Sequence, residues 1–494
     1  MKLRNCHLPR RAHTTQHFFH TGDRVRVLPG HALLRFQCAA AMAALNASMF
    51  KKETVPVGSR EASKASTASP SVLTTAEVAD YTKDVLMKHV RGIKHGSIPV
   101  DAGKPLVASE IHGSNMNYAW KVCEADRPDG GAIFVKQAPG YIKVLGEGYK
   151  LSAERLLVEV QAMEEYGGPL PFGGIWKGAA PAYVPTLYFR DSERCIMVTE
   201  FLVGHTLMRD VLRRGECAPS AAVDVANFMA LTHARTHKAC APAGSTPRCS
   251  TLTNAPMCAI TADYVFSKPM DANDQTNRSS PGIASDAAAL RRDRDVVAGV
   301  KKLREAFLTK KECLVHGDLH TGSIMVTTPG AVDVTYGGAG GRGASAAAAK
   351  AKIIDAEFAH YGCAAFDVGT FLANVIFGAL ACDATANGGG PAALAMMDTT
   401  WNTYTAAMNA VQPSPLSTPA AQADLLQLTA GFAGCELIRR VIGAAHVEDI
   451  EEIDTPARKT HAEKAALAIG GELVRKHASF RSFGDVVSAV RSRM

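Results

Sequence analysis

Two short segments carry residues whose types and spacing suit chemistry on a hydroxyl group beside a divalent ion. The first runs Cys313-Leu314-Val315-His316-Gly317-Asp318-Leu319-His320-Thr321-Gly322-Ser323-Ile324-Met325. One apolar run leads into a polar hexad and a second leads out, which puts Asp318 and His320 on a loop between buried elements, where side chains are rigid yet accessible. A carboxylate held there can accept a proton from a hydroxyl; taken alone, an His-Gly-Asp turn is equally compatible with a plain tight turn. The second segment, Lys352-Ile353-Ile354-Asp355-Ala356-Glu357-Phe358, sets two carboxylates two residues apart after a β-branched run. Positions i and i+2 of a strand share a face, so Asp355 and Glu357 can converge on one ion. Oxygen donors without His or Cys favour Mg²⁺. An ordinary acidic strand end is the plain alternative.

A loop aspartate followed by an apolar strand that ends in a metal-binding acid is the layout of the protein-kinase-like phosphotransferases. Further phrases extend the likeness: Phe366-Asp367-Val368-Gly369, then Gly431-Phe432-Ala433-Gly434-Cys435-Glu436-Leu437-Ile438-Arg439-Arg440, Ile442-Gly443 and Ala445-His446-Val447. Together they resemble the 5-methylthioribose kinases, a small-molecule branch of the protein-kinase-like, aminoglycoside phosphotransferase-like superfamily. The resemblance runs from Thr74 to the C-terminus and leaves out the N-terminal tail and a Gly/Ala insertion. Aminoglycoside and choline kinases are expected to show Asn at position 323, so Ser323 together with the two acids points to the methylthioribose branch.

The resemblance implies ATP and Mg²⁺, phosphorylation of 5-methylthio-D-ribose at its 1-hydroxyl in methionine salvage, and a homodimer. Asp318 is then the base that meets the substrate, and Asp355 and Glu357 hold the metal. Ser323 stands where many kinases use Asn on the metal, a task Glu357 could take over. Glu110 to Asn117 resembles the nucleotide loop, with Gly113 admitting phosphate to the backbone and Asn117 contacting ATP; without the family these residues read as a polar hairpin. Lys136 ends the run Ile133-Phe134-Val135 and would reach the ATP phosphates, though a strand-end lysine by itself is usually solvated. Glu159 on the following helix is preferred over Glu154 as its ion-pair partner. Glu200, Phe201 and Leu202 would offer backbone groups to adenine. Arg439 and Arg440 point about 100° apart on a helix, so both cannot sit at the centre of one solvent stripe. Such a pair is more often a solvated edge, but the family's twin arginines line the sugar pocket and could offset charge in phosphoryl transfer. Tyr149 stands in a segment resembling the substrate-covering loop, where the family normally shows Trp. His316 and His320 are assigned no proton transfer.

Two rival readings follow from the same residues. A kinase for another hydroxylated substrate, such as an aminoglycoside, would want an acidic pocket for a polycation, which Arg439 and Arg440 would repel. A catalytically inactive nucleotide-binding protein is opposed by the intact Lys136, Asp318, Asp355 and Glu357.

The elements that must position these residues read as α+β with two lobes. The expected division is a basic, then Ser/Thr/Ala-rich extension over 1–70, a β-rich nucleotide-binding lobe over 71–203, and a mainly helical catalytic and sugar-binding lobe over 204–494. Thr74-Thr75-Ala76-Glu77 caps a helix carrying Val78, Tyr81, Val85 and Val90. Tyr118–Cys123, Ala132–Val135 and Cys195–Thr199 read as strands, and Leu151–Tyr166 has helical apolar spacing. Residues 330–352 and Thr385–Pro391 read as low-complexity surface insertions.

Composition sets the outer bounds. The chain has 494 residues, 47% apolar and 20% charged, which rules out wholesale disorder. No stretch reaches the ~18 uninterrupted apolar residues of a spanning helix, so no membrane is expected. The net charge is +7, but residues 1–50 hold seven Lys/Arg against one acid, Asp23, and leave the remainder nearly neutral. That argues against a nucleic-acid-binding body. The 12 cysteines lack metal-type spacing and are expected as reduced thiols. Cytoplasmic placement is expected from the family; Ser492-Arg493-Met494 offers a peroxisome-like alternative and the Arg-rich start a mitochondrial one.

Overall fold

The computed structural model describes residues 71–89, 98–112, 116–144, 146–168, 178–216, 219–242, 244–327 and 351–494. The extension 1–70, Val90, Gly113 and residues 330–350 of the proposed insertion lie outside the described residues.

A five-stranded antiparallel sheet is built from β1 (Leu106–Glu110), β2 (Tyr118–Glu124), β3 (Ala132–Gln137), β4 (Leu187–Asp191) and β5 (Ile196–Glu200), in the order β1-β2-β3-β5-β4. Alternation along each strand gives the sheet two apolar faces. Ile133 and Val135 point with Trp120, Val122 and Val198 towards helix α1 (Thr75–His89). Phe134 points the other way, to helix α2 (Arg155–Gly167), where Leu156, Val160 and Met163 meet Met197 and Leu187. Lys136 is two residues beyond Phe134 and therefore shares the α2 face. The start of α1 is a capping box: the Thr74 NH donates to Glu77 Oε2 at 2.7 Å, and the Glu77 NH donates to Thr74 Oγ1 at 3.3 Å.

Beyond the sheet the chain is mainly helical. The long helices are α3 (Pro219–Thr236), α4 (Arg294–Thr309), α5 (Ala364–Thr385), α6 (Gly390–Ala410), α7 (Pro419–Ile442) and α8 (Pro456–Lys476). Helix α5 is long and apolar enough to span a membrane, longer than the sequence alone suggested, yet it is packed against α3, α6, α7 and α8. Helices α7 and α8 touch at Gly434 and Gly470. A Cβ on Gly434 would come 2.8 Å from the Gly470 carbonyl oxygen, and one on Gly470 would come 3.0 Å from the Gly434 carbonyl oxygen. Two short sheets brace the loops between these helices: β6 (His205–Leu207), β8 (Ile324–Thr327) and β9 (Ala351–Ile353) in one, β7 (Cys313–Val315) and β10 (His360–Gly362) in the other.

Two sequence expectations are corrected here. Ala351 and Lys352 are not part of an insertion: they pair in register with Val326 and Met325, and Lys352 Nζ donates to the Val184 carbonyl at 3.0 Å. Thr385–Pro391 lies at the surface as expected, with residues 385–388 exposed, but it inserts nothing: it is the tight connection from α5 to α6. Gly390 is buried there, so close to Asp383 that a Cβ would fall 2.2 Å from its Oδ1. The nine described cysteines are all free.

Candidate active site

The loop between β7 and β8 presents Asp318. Its start is pinned by Asp367, a buried residue in the first turn of α5. Asp367 Oδ2 accepts from the His316 NH at 2.7 Å and Oδ1 from the Gly317 NH at 2.9 Å, with His233 Nε2 3.3 Å away. Burial would raise this carboxyl, but the His233 bond and charge outweigh it and hold Asp367 below its usual range. The chain turns at Gly317 with φ of +83°. A Cβ there would lie 2.2 Å from the Phe358 carbonyl oxygen, so the loop and the metal-type segment are packed backbone to backbone. Gly317→Ala is therefore expected to cost about 1–3 kcal/mol in backbone strain. By displacing Asp318 it should also lower turnover about 10²-fold; melting curves and steady-state rates check both.

Asp318 keeps its side chain 25% exposed, open to a reactant. Arg439 Nη2 lies 3.4 Å and Arg440 Nη2 3.7 Å from its Oδ1, and His320 Nε2 lies 3.6 Å from its Oδ2. Burial lowers His320 to about 4, so the ring is neutral near pH 7. Its Nδ1 accepts from the Gly322 NH at 2.9 Å, which leaves the hydrogen on Nε2, facing Asp318. The two arginines come from the last turn of α7 and are drawn together by Glu436 one turn earlier. Glu436 Oε2 lies 2.5 Å from Arg439 Nε and its Oε1 2.8 Å from Arg440 Nε. Although burial raises the Glu436 carboxyl, both guanidinium groups overcome this and hold it at about 2.

The second half of the site lies where the sheet faces the loop after β9. Lys136 Nζ sits 2.7 Å from Glu159 Oε2 and 2.5 Å from Asp355 Oδ1. Glu154, the competing partner, is exposed. Burial opposes the Lys136 charge, but Asp355 and Glu159 keep it protonated. Glu159 is pushed up to about 7 by burial, with Lys136 drawing it down and the neighbouring carboxylates drawing it up. Asp355 has a left-handed backbone, φ +67°, and a side chain 48% exposed to the cleft. Burial and Asp355 raise Glu357, whose Oε2 lies 3.2 Å from Asn117 Nδ2 and 3.4 Å from Arg155 Nε.

The chain is 32% identical over 380 residues to a methylthioribose kinase of Bacillus cereus strain 03BB102, covering 75% of this chain and 87% of the relative. A second, from Exiguobacterium sibiricum, is 31% identical over 395 residues, covering 78% and 91%. The chain belongs to the methylthioribose kinase family. It is a phosphotransferase, and its α+β architecture sets a five-stranded antiparallel sheet before a mainly helical region. No family model matches the chain. Among solved structures, a choline/ethanolamine kinase family protein of Mesorhizobium loti aligns at TM-score 0.37 and 12% identity, over 84% of this chain and 99% of its own. A choline kinase of Cryptosporidium parvum aligns at TM-score 0.42 and 12% identity, over 79% and 94%. Likeness at that level adds nothing to the assignment.

Other expected residues of this kinase are placed as follows. Asn117 is 1% exposed, and its amide bridges Arg155 and Glu357. The Ser323 hydroxyl is buried and donates to the Asp318 carbonyl at 3.2 Å, so it steadies the loop. Glu200 ends β5; its carboxylate accepts from the Thr186 NH at 3.0 Å, and Phe201 and Leu202 follow it, partly buried. Tyr149 lies on a hairpin closed by a bridge between Tyr141 and Lys150, with its NH donating to the Gly146 carbonyl. Four contributors were not assigned from sequence: Arg155, Asn254, Asp367 and Glu436. Asn254 Nδ2 donates at 3.0 Å to the carbonyl oxygens of both Glu357 and Ala359, holding the metal-type segment in place. Asp367 and Glu436 stood inside recognisable phrases and were the findable ones, as acids embedded in apolar helical runs.

Proposed function

We propose that this kinase transfers the γ-phosphoryl group of ATP to the 1-hydroxyl of 5-methylthio-D-ribose, giving 5-methylthioribose 1-phosphate and ADP in methionine salvage. The observation that carries the reading is the Asp318 carboxylate flanked by Arg439 and Arg440. A sugar hydroxyl beside Asp318 would give it its proton as the oxygen attacks phosphorus. The arginines would hold neighbouring hydroxyls and offset charge on the phosphoryl oxygens. Lys136, fixed by Glu159, would bind the ATP phosphates, and the backbone of Glu200, Phe201 and Leu202 would meet the adenine edge. A boundary at 203/204 makes that segment the link between the lobes. The family resemblance extends the proposal to a homodimer in the cytoplasm.

The donor set also suits Mg²⁺. Asp355, Glu357 and Glu159 place three carboxylates around the cations Lys136 and Arg155, and burial first, then the charge of Asp355, keeps Glu357 raised. Among the described residues no group of three or more His, Cys, Asp or Glu could hold a metal. Two carboxylates completed by water and phosphate oxygens are what Mg²⁺ commonly takes. Asp355 and Glu357 would hold it, and bound there it neutralises charge on the phosphates.

The test is ADP release from Mg²⁺-ATP with methylthioribose, ribose or kanamycin as acceptor. Release with methylthioribose that strongly exceeds the other two, and that stops with EDTA, is expected. Equal rates on ribose or kanamycin would overturn the substrate, and release insensitive to EDTA would overturn the metal.

A further inference from the structure

Arg155 is the most heavily bonded charged side chain near the cleft, and no step above uses it. It opens α2 and is 4% exposed. Its Nη1 donates to the carbonyls of Pro139 at 3.0 Å and Ser152 at 2.7 Å, the two ends of the hairpin that carries Tyr149. Its Nη2 donates to the Met116 carbonyl at 2.9 Å and to Asn117 Oδ1 at 2.8 Å, at the entry to β2. Its Nε has no hydrogen-bond partner and faces Glu357 Oε2 at 3.4 Å. Asn117 closes the triangle with its own bond to that same oxygen. A buried guanidinium is costly unless its charge and donors are answered, and here neutral carbonyls take the Nη donors while Glu357 is the carboxylate in contact with the charge and Glu159 lies beyond. Glu357 belongs to the metal-type segment, far away in sequence and on the other side of the cleft.

We infer that Arg155 is a positioning residue that ties the 140–151 hairpin to Glu357, so that occupation of the metal–nucleotide site orders that hairpin. The inference rests on the kinase reading of the cleft. A planar guanidinium can bond the hairpin ends and Asn117 while keeping its charge against Glu357, because its donors point in fixed, separate directions. A lysine keeps the charge but radiates from one nitrogen and cannot span these acceptors. When a metal fixes Glu357, the tether passes that restraint through Arg155 to residues 139 and 152.

The test is amide hydrogen exchange across residues 140–151 of the full chain, with AMP-PNP and Mg²⁺ and no sugar. In the wild type, Mg²⁺ with AMP-PNP is expected to slow exchange there about tenfold or more, and AMP-PNP with EDTA to leave it unchanged. Arg155→Lys, at nucleotide saturation confirmed by calorimetry, is expected to lose that slowing. Arg155→Gln, shorter and uncharged, loses the contact with Glu357 while leaving the metal-type acids intact, and is expected to lose it too; it carries the test if Arg155→Lys fails to fold. Undiminished slowing in either folded variant, or none in the wild type with nucleotide bound, overturns the proposal. A merely structural arginine would alter resting exchange without removing the response to nucleotide. Because no sugar is present, failure of methylthioribose as acceptor leaves this result standing, and the two ideas fail separately.

Discussion

Asp318→Asn should lower kcat by about 10²–10⁴-fold while leaving the KM for the sugar little changed. The amide matches the carboxylate in shape and can still face Arg439 and Arg440, so the sugar is still held. What it loses is the capacity to take a proton, and with it the negative charge that orients a hydroxyl for attack. A loss in kcat without a loss in ground-state binding is the signature of a group acting in the transition state. Coupled ADP-release kinetics read both constants. Near-normal turnover would remove Asp318 as the base, and neither neighbouring histidine is placed to replace it: the ring of His320 is neutral with its hydrogen on the side facing Asp318, and His316 Nε2 is 3.0 Å from the Ile354 carbonyl.

Glu436→Leu has the largest expected effect on stability. Removing one partner of a buried ion pair costs about 3–5 kcal/mol, because the remaining charge is left without compensation. Here one buried carboxylate touches two guanidinium groups, which reach their other carboxylate neighbour, Asp318, only at 3.4 and 3.7 Å. At about 2–4 °C per kcal/mol for a domain of 150–250 residues, Tm should fall by on the order of 10 °C. The arginines would then have Asp318 as their nearest carboxylate, so the folded fraction should also turn over more slowly. The pH dependence has a definite sign. The folded carboxyl is held at about 2 against an ordinary value of 4.5. Its contribution is therefore complete above pH 4.5 and lost as the pH falls towards 2. The Tm gap between wild type and Glu436→Gln should be widest near neutrality and close over that interval. Equal melting temperatures at pH 7 would show that Glu436 does not hold the pair.

What could be read from sequence was whatever is encoded locally. The capping box at Thr74 and Glu77, the alternation through Ile133 to Lys136 and the apolar runs around Asp318 all lie within a few residues, and the elements appear where those patterns put them. The pairing of Lys136 with Glu159 rather than Glu154 was also accessible, because Glu159 shares a helix face with Leu156 and Val160. Arg155 was not. Its partners are scattered from Met116 to Glu357, and a lone arginine at a helix start looks like a solvated one. That the Asn117 amide also links Arg155 to Glu357 was equally out of reach, since both partners lie far along the chain. Lys352 was given to an insertion because composition changes gradually there, while strand pairing with Met325 starts at a definite residue.

Helix α5 has a consequence for how the chain is made. From Ala364 to Cys382 every residue is buried, and the surfaces that cover them include α6, α7 and α8, all later in the sequence. A ribosome that has just released α5 therefore presents a helix apolar on all sides, with most of its cover still unsynthesised. Asp367, which pins the start of the Asp318 loop, lies in that helix's first turn. The Asp318 loop thus gains its anchor only when α6, α7 and α8 have docked, so a chain cut short before them should lose the placement of Asp318 and gain a sticky surface together.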